Sequence, residues 1–313
     1  MITLVVPTRN RAHTLELVLE SYFSQELVTE LVFVLDAGQD QSEQTIATVA
    51  ARFPEKRVLT IQNPQRMGAS RSRNVGVASS SNPYILFCDD DEYLEEGYAK
   101  VCLEKLRTSG AGAVSGRRVY MLGSESPAEA LARFGCGVYR KKLFRPWVCE
   151  TVNGAIFEGD VELPFTNAII LTTRELLLRF PFDGFYSRGN GFREETDFQM
   201  NLFVNGYRIV VTNERHSIHL PLTQVRTGGQ RTATMKRIYW SIYYTNYFFR
   251  KYYADYATRS GLRAPRWLAL IAFSGFSIYR ETLRPVLQRL WGYFVPRFFP
   301  APRSKPGASS AQT

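Results

Sequence analysis

Residues 84–91, Tyr-Ile-Leu-Phe-Cys-Asp-Asp-Asp, join an apolar run directly to three consecutive carboxylates. The apolar run predicts a buried β-strand, and the acidic residues follow where that strand ends. Clustered carboxylates favour a hard divalent cation, because Mg²⁺ and Mn²⁺ prefer oxygen ligands and because neighbouring acids repel one another without a counter-charge. The stretch therefore predicts a cation site at a strand end, and a phosphate is the group that such a cation would bind.

Short apolar runs alternate with helical patterns before and after this stretch. Strands are predicted at residues 3–6, 31–35, 58–61, 84–87, 166–171 and 207–211, and helices at 14–25, 42–52, 68–77, 97–107, 175–180 and 194–204. The alternation is typical of an α/β fold built of βαβ units, with a mostly parallel sheet and helices on both faces. Ligands of such sheets bind beyond the carboxyl ends of the strands, so the polar residues that follow the strands are candidates for a binding site.

The charge of the chain is unevenly distributed. Residues 214–313 hold 16 of the 39 Lys and Arg residues but only 3 of the 29 Asp and Glu residues. Such a basic segment indicates an anionic partner, for which a membrane surface, a polyphosphate ligand and nucleic acid are the candidates. We divide the chain into a domain at 1–220, a helical, basic and aromatic region at 221–300 that is a candidate for membrane association, and a disordered tail at 301–313.

Two further patterns concern the membrane. Ten aromatic residues lie between Tyr239 and Tyr256, several at i, i+4 spacing, which predicts one continuous helix face. That face could be buried against the first domain, line an acceptor channel or lie at a membrane interface. The amino terminus lacks a basic region and a cleavage site, and the apolar run at 267–279 is too short to span a bilayer. We therefore expect a cytoplasmic protein, peripheral on the inner face of the plasma membrane through basic amphipathic helices that bind anionic lipid.

A second acidic cluster, Glu194-Glu195-Thr196-Asp197, opens a predicted helix. Carboxylates at this position could simply interact with the helix dipole, or one of them could act as a general base. His216-x-x-His219 follows the last predicted strand and could add an imidazole ligand to the cation site or be an ordinary loop pair.

Taken in order, these motifs resemble the family 2 glycosyltransferases, which are inverting enzymes of the GT-A fold that use nucleotide-diphosphate sugars. The resemblance covers roughly residues 2–219. It rests on Val6-Pro7-Thr8-Arg9-Asn10, Asp36 with Asp40, Gly68 to Gly76 with Arg73, Phe87-Cys88-Asp89-Asp90-Asp91, and Glu194-Glu195-x-Asp197 before Gly206. It implies a transferase that moves a sugar, most readily from a UDP-sugar, to a hydroxyl of a lipid-linked or polysaccharide glycan acceptor, without a nucleic-acid partner.

The resemblance also implies a role for each matching residue. The nucleotide-sugar side would comprise Pro7, Thr8 and Arg9 at the base, Asp36 at the base or ribose, Arg73 at the pyrophosphate, and Asp40, Gly68, Asp89 and Asp90 around them. Asp91 would bind Mg²⁺ or Mn²⁺ directly, with Asp89 and His219 as further candidate ligands. Asn167 would lie on the acceptor side.

Glu195 falls at the position of the family's catalytic base, where Asp is usual in a Glu-Asp pair, so Glu194 is the alternative base and Asp197 a third candidate. Two other functions remain open. A sugar nucleotidyltransferase would want a Gly-rich basic signature after the first strand, whereas this chain has Thr8-Arg9-Asn10-Arg11 there. A non-catalytic module could bind a nucleotide sugar or a polyanion through the same acids and the basic region.

Overall fold

The computed structural model describes residues 1–152, 154–221, 223–225 and 233–287. The strands are β1 (Ile2–Thr8), β2 (Val28–Leu35), β3 (Arg57–Gln62), β4 (Tyr84–Phe87), β5 (Glu92–Leu94), β6 (Ala113–Tyr120), β7 (Phe144–Arg145), β8 (Glu150–Thr151), β9 (Asp160–Glu162), β10 (Leu171–Thr173) and β11 (Ile209–His219). The helices are α1 (Ala12–Phe23), α2 (Ser42–Ala50), α3 (Ala69–Ser79), α4 (Tyr98–Ser109), α5 (Pro127–Gly135), α6 (Arg174–Arg179), α7 (Glu194–Val204), α8 (Thr234–Arg259) and α9 (Arg266–Ile278), and a π-helical turn, Tyr279–Leu283, follows α9.

The main sheet has the strand order β3-β2-β1-β4-β10-β6-β11-β5, and β9 pairs with β11. The first four strands along the chain pair in parallel, as does β6 with β11, whereas β10 lies antiparallel between β4 and β6. Parallel strands need crossover connections, and α1, α2 and α3 provide them. The α/β fold predicted from the alternating pattern is therefore confirmed, with an antiparallel strand joining its two parallel parts.

Two local expectations were wrong. Residues 166–171 do not form a strand; β10 begins at Leu171, because the preceding backbone is held by side chains, with Asn167 Oδ1 accepting from Ile169 N at 2.8 Å. The first strand, predicted at 3–6, continues through Pro7 to Thr8, and the Asp36 amide donates to the Thr8 carbonyl at 2.8 Å. Proline lacks only the backbone N–H donor, so the hydrogen bonds between the strands continue through the backbone groups of the neighbouring residues.

Helices cover both faces of the sheet, as predicted, because the sheet strands present apolar residues alternately to each side. One core contains Leu4 and Val6 of β1 with α1 and α4, and α1 contributes Leu15, Val18, Leu19, Tyr22 and Phe23 at helical spacing. The opposite core contains Val5, Val32 and Val34 with α3, α6 and α7. Burial of these side chains from water stabilises the sheet that positions the strand ends.

The aromatic face of α8 is buried against the rest of the protein. Phe248, Tyr252 and Tyr256 pack in one cluster with Phe165 and with Met200 of α7. Of the three interpretations of this face, burial therefore accounts for its carboxyl-terminal part. The predicted tail at 301–313 and the end of the helical region lie outside the described residues.

Candidate active site

The carboxyl ends of β1, β2 and β4 border one cavity of about 1300 Å³. Its lining includes most of the residues predicted from the sequence: Pro7, Thr8, Arg9, Asp36, Gly68, Arg73, Asp89, Asp90, Asp91, Asn167, Glu194, Glu195 and His219. This convergence follows from the topology, because carboxyl ends of parallel strands meet at one edge of a sheet. The acids of β4 and those of α7 thus share a cavity although about 100 residues separate them in the chain.

Arg73 of α3 is the centre of the site. Its side chain is only 2% exposed, and its guanidinium donates to Asp89 at 2.9 Å, to Glu194 at 2.5 Å and to Glu195 at 3.2 Å. Burial would lower the pKa of this guanidinium, but the three carboxylates outweigh burial and raise it. Arg73 is therefore a permanent cation that connects the acids after β4 with the acids that open α7.

Asp89 is held by two arginines. One carboxylate oxygen accepts from Arg73 and the other accepts from Arg118 of β6 at 2.9 Å. Burial alone would raise the pKa of Asp89, but Arg118 and then Arg73 outweigh it and lower that pKa. Arg118 also contacts Glu92, which is buried and whose pKa rises to about 8 through burial despite that contact. Asp89 is consequently an ionised group of fixed orientation, with both oxygens already engaged by protein donors.

The next two acids face a different arginine. Arg11, which is 6% exposed, lies 3.6 Å from a carboxylate oxygen of Asp90 and 3.6 Å from one of Asp91. Burial raises the pKa of Asp90 to about 7, since the Arg11 charge offsets burial incompletely and Asp91 adds repulsion. These longer contacts leave oxygens available, so Asp91 is freer than Asp89 to bind a cation.

Asp91 and His219 fit a divalent cation. His219 Nδ1 lies 2.6 Å from the Leu220 carbonyl, an acceptor, so this nitrogen carries the proton and Nε2 keeps its lone pair. Nε2 lies 3.7 Å from Asp91 Oδ1, too far for a hydrogen bond. Burial lowers the pKa of His219 in spite of Asp91, which keeps the imidazole neutral as a ligand must be. Among the described residues no three His, Cys, Asp or Glu side chains form a complete cage, so remaining ligands would come from substrate or water.

The two adjacent glutamates of α7 differ in their environments. Glu194 uses both oxygens, one for Arg73 and one for the Ser70 hydroxyl at 2.9 Å. Among the described residues, Arg73 is the one other residue that hydrogen-bonds the Glu195 carboxylate, at 3.2 Å, and the Glu195 side chain is 27% exposed. Burial and then the Glu194 charge raise the pKa of Glu195 to about 8, although Arg73 opposes them. Of the two glutamates, Glu195 is therefore the one with a free oxygen and a pKa near neutrality, which are the properties of a general base.

Asp36 holds the loop that begins α3. Its carboxylate accepts from the Met67 amide at 2.6 Å, the Gly68 amide at 2.9 Å and the Asn63 side chain at 3.0 Å. Gly68 has φ +81°, and a Cβ there would lie 2.8 Å from the backbone of Ser187. Only glycine suits this conformation and this close approach. Both residues line the cavity, and together they fix the loop at the amino terminus of α3.

Two predicted site residues lie outside the cavity lining. Asp40 accepts from the Ser42 amide and hydroxyl at the start of α2 and from the Ala12 amide at the start of α1. Asp197 is 2% exposed and accepts from Lys251 at 2.8 Å and from the Tyr186 and Tyr252 hydroxyls. Burial raises the pKa of Asp197 even though Lys251 opposes it. In this structure Asp40 stabilises two helix starts, and Asp197 joins α7 to α8.

The predicted acceptor side lies toward β6 and the carboxyl-terminal helices. The Asn167 side chain donates to the Gly116 carbonyl at 2.9 Å, and Arg193, 4% exposed with φ +77°, donates to the Cys149 carbonyl and to Glu150. Arg280, from the turn after α9, lies 4.0 Å from Glu150. Four further arginines line the cavity and were not predicted as site residues: Arg11, Arg117, Arg118 and Arg193. Two of them had a local signal, since Arg11 closely follows β1 and Arg193 directly precedes Glu194.

The sequence matches a known protein family and several curated proteins. Residues 3–159 match the model of glycosyl transferase family 2. The uncharacterized glycosyltransferase YwdF of Bacillus subtilis is 31% identical over 109 residues, which cover 34% of this chain and 39% of YwdF. The succinoglycan biosynthesis protein ExoO of Rhizobium meliloti is 29% identical over 110 residues, 35% of this chain and 31% of ExoO. The matches thus span about a third of the length of these curated relatives.

Solved structures share the fold. S. aureus TarS 1–349 has a TM-score of 0.56 and 14% identity, covering 90% of this chain and 72% of TarS 1–349. The mannosyltransferase PcManGT from Pyrobaculum calidifontis, solved with GDP-Man and Mn²⁺, has a TM-score of 0.52 and 15% identity, covering 96% and 88% of the two chains. With its GT-A architecture and a family match across half of its length, the chain belongs to glycosyl transferase family 2.

Proposed function

We propose that the protein is a metal-dependent, inverting glycosyltransferase that moves a sugar from a nucleotide-diphosphate donor to a hydroxyl of a glycan acceptor. One observation carries this proposal: the Arg73 guanidinium contacts both Asp89 and Glu195, at 2.9 and 3.2 Å. Asp89, which follows β4, and Glu195, which opens α7, therefore both contact the same planar cation. A donor bound at the first would present its anomeric carbon near the second.

The donor half of the cavity would comprise the ends of β1, β2 and β4. Pro7, Thr8 and Arg9 would contact the base, and the loop fixed by Asp36 and Gly68 would lie beside it. Asp89, held in one orientation, would accept from a ribose or sugar hydroxyl. The solved relatives support this donor class, since TarS was crystallised with UDP and with UDP-GlcNAc and PcManGT with GDP-Man. We favour a UDP-sugar.

Asp91 and His219 would hold Mg²⁺ or Mn²⁺. When bound, the cation supplies positive charge that neutralises the leaving diphosphate. The engagement of both Asp89 oxygens by arginines supports a direct ligand role for Asp91 in preference to Asp89. The same arginines keep Asp89 ionised beside the donor.

Glu195 would act as the general base. Its free oxygen accepts the proton of an acceptor hydroxyl while the hydroxyl oxygen forms a bond to the anomeric carbon and the bond from that carbon to the diphosphate oxygen breaks. Attack opposite the leaving group inverts the anomeric configuration. Glu194, with both oxygens engaged, would instead fix Arg73, and Asp197 would have a structural role.

The test is a panel of nucleotide-diphosphate sugars incubated with the full chain, with Mn²⁺, with Mg²⁺ and with a chelator. We expect turnover of one donor that needs the metal. Asp91→Asn should abolish that turnover, whereas Asp255→Asn, an exposed change on α8, should leave it intact. Substantial activity of Asp91→Asn would refute the metal assignment, and metal-dependent binding without any turnover would favour a non-catalytic module.

A second proposal concerns the place of action, at the cytoplasmic face of the plasma membrane. Large apolar side chains are exposed along α9, the turn after it and the residues that follow the turn: Trp267, Ile271, Ile278, Leu283 and Leu287. The exposed Arg263, Arg266 and Arg284 flank them. Apolar side chains bordered by arginines suit an anionic lipid surface, and attachment there would bring the cavity to a lipid-linked or envelope-polysaccharide acceptor. Within the part of the chain that the structure describes, every helix is too short or too polar to span a bilayer.

Flotation with vesicles tests this attachment. The full chain should float with vesicles that contain anionic lipid and not with neutral ones, and the Trp267→Ser, Ile271→Ser double variant should lose flotation. Leu178→Ser, which removes a comparably exposed leucine from α6, is the control and should float normally. Equal flotation of the double variant and the wild type would contradict this surface.

A further inference from the structure

Arg117 of β6 is a buried cation without a counter-charge. Its relative exposure is 6%, and its guanidinium lies between the rings of Phe134, at 5.4 Å, and Phe157, at 4.8 Å. All Asp and Glu residues of the chain fall within the described ranges, and none of them pairs with Arg117. Burial lowers the pKa of Arg117 to about 10, with no carboxylate to oppose it. At neutral pH the group is therefore still charged.

Other buried arginines of the cavity differ from Arg117 in this respect. Arg73, Arg118 and Arg193 each contact at least one carboxylate within 3.2 Å, and Arg11 lies 3.6 Å from two. Burying a cation without a partner costs free energy, so a folded protein rarely keeps one unless a ligand compensates for it. At Arg117 the rings of Phe134 and Phe157 compensate for part of this cost through cation–π contacts, but no carboxylate does.

The position of Arg117 indicates which ligand would compensate. Arg117 lines the cavity and follows Gly116, whose carbonyl is bound by Asn167 of the predicted acceptor side. Phe157, which stacks on the guanidinium, packs in one apolar cluster with Leu163. Stacked, planar guanidinium groups present paired donors that match the two oxygens of a carboxylate or a phosphate. An oxyanion bound by Arg117 in the cavity would lie near Asn167, on the predicted acceptor side.

We propose that Arg117 recognises an anionic group of the acceptor, so that the acceptor glycan carries a carboxylate, as in a uronic acid, or a phosphate. This inference rests on the proposed function, because that function defines the part of the cavity around Asn167 as the acceptor side. It adds to that function a substrate class, an anionic glycan. The carboxylate and the phosphate share the same recognition chemistry, and a matched set of probes separates them.

The experiment compares methyl glucoside, methyl glucuronide and methyl glucoside 6-phosphate by calorimetry or ligand-observed NMR, with the full chain saturated with UDP and Mg²⁺. We expect one anionic probe to bind at least about tenfold more tightly than methyl glucoside. Arg117→Gln should remove that preference without changing the affinity for UDP. Arg140→Gln, an exposed change outside the cavity, should keep it.

The unfolding temperature gives a second readout. If Arg117 only stabilised the fold, Arg117→Gln would lower this temperature. Because no carboxylate pairs with the buried charge, Arg117→Gln should unfold at the same temperature as the wild type or higher, and the anionic probe should raise the unfolding temperature of the wild type alone. Equal binding of all three probes to the wild type, including no binding of any, would overturn the proposal, as would a preference that persists in Arg117→Gln. Failure of UDP to bind would count against the proposed function. The three probes are therefore also titrated without UDP, so that the preference due to Arg117 is tested whether or not UDP binds.

Discussion

The raised pKa of Glu195 makes the stability of the protein depend on pH in a predictable direction. The folded state binds the Glu195 proton up to about pH 8, whereas an ordinary glutamate releases it near 4.5. Stability from this group is therefore fully present below pH 4.5 and is lost as the pH rises through 8. In Glu195→Gln the amide resembles the protonated acid at every pH, so the variant should not suffer this loss.

The magnitude follows from the same two pKa values. The interval from 4.5 to about 8 corresponds to at most about 5 kcal/mol at 1.36 kcal/mol per pH unit. Because 27% of the side chain is exposed and Arg73 lies beside it, solvent screening reduces the expected effect to about 2 kcal/mol. Between pH 5 and pH 9 the free energy of unfolding of Glu195→Gln should thus rise by about 2 kcal/mol relative to the wild type.

Urea unfolding of both proteins in matched buffers measures the difference between their free energies of unfolding at pH 5 and again at pH 9. Effects that do not depend on pH cancel when the two differences are compared. Glu43→Gln, an exposed change on α2, is the control and should follow the wild type at both pH values. The free energy of unfolding of Glu195→Gln relative to the wild type could instead stay constant or fall as the pH rises. Either result would refute the burial and charge repulsion that we assign to Glu195.

Three further predictions concern activity and packing. The kcat/KM of donor turnover should rise with pH and level off near 8 as Glu195 loses its proton, which a pH profile measures. Asp197→Ala should lower the free energy of unfolding by about 3 kcal/mol, since Lys251 and two tyrosines lose a buried acceptor, whereas the exposed Asp255→Ala should change it little in the same urea titration. His219→Ala should weaken activation by Mn²⁺ by about tenfold or more in a metal titration, and His216→Ala, whose ring contacts Glu95, should not.

The sheet and the position of its site could be predicted from sequence because both depend on local patterns. Alternating apolar runs predict the strands, and the carboxyl ends of parallel strands must share an edge, so Thr8, Asp36 and Asp89 had to lie close together. The antiparallel insertion of β10 carries no local signal. Its three residues pair with β4 and β6, which are distant in sequence.

The counter-charges of the site could not be predicted. Arg118 and Arg117 are adjacent on β6, yet one holds Asp89 and the other has no carboxylate partner, a difference set by tertiary packing alone. The sequence likewise could not distinguish Glu194 from Glu195, because the distinction lies in the Ser70 hydroxyl that occupies one of them. Asp40 resembled a site residue since it follows β2 closely, but in the fold it stabilises helix starts.

The most direct test of the account is the transfer rate of Glu195→Gln measured beside its donor affinity. We expect Glu195→Gln to bind the nucleotide sugar and metal as the wild type does, yet to lose transfer by about a thousandfold or more, because a general base is removed from a preorganised site. Glu194→Gln should instead weaken donor binding, because Arg73 loses its closest partner. Wild-type transfer by Glu195→Gln, or loss of transfer with intact binding in Glu194→Gln, would contradict the assignment of Glu195 as the base.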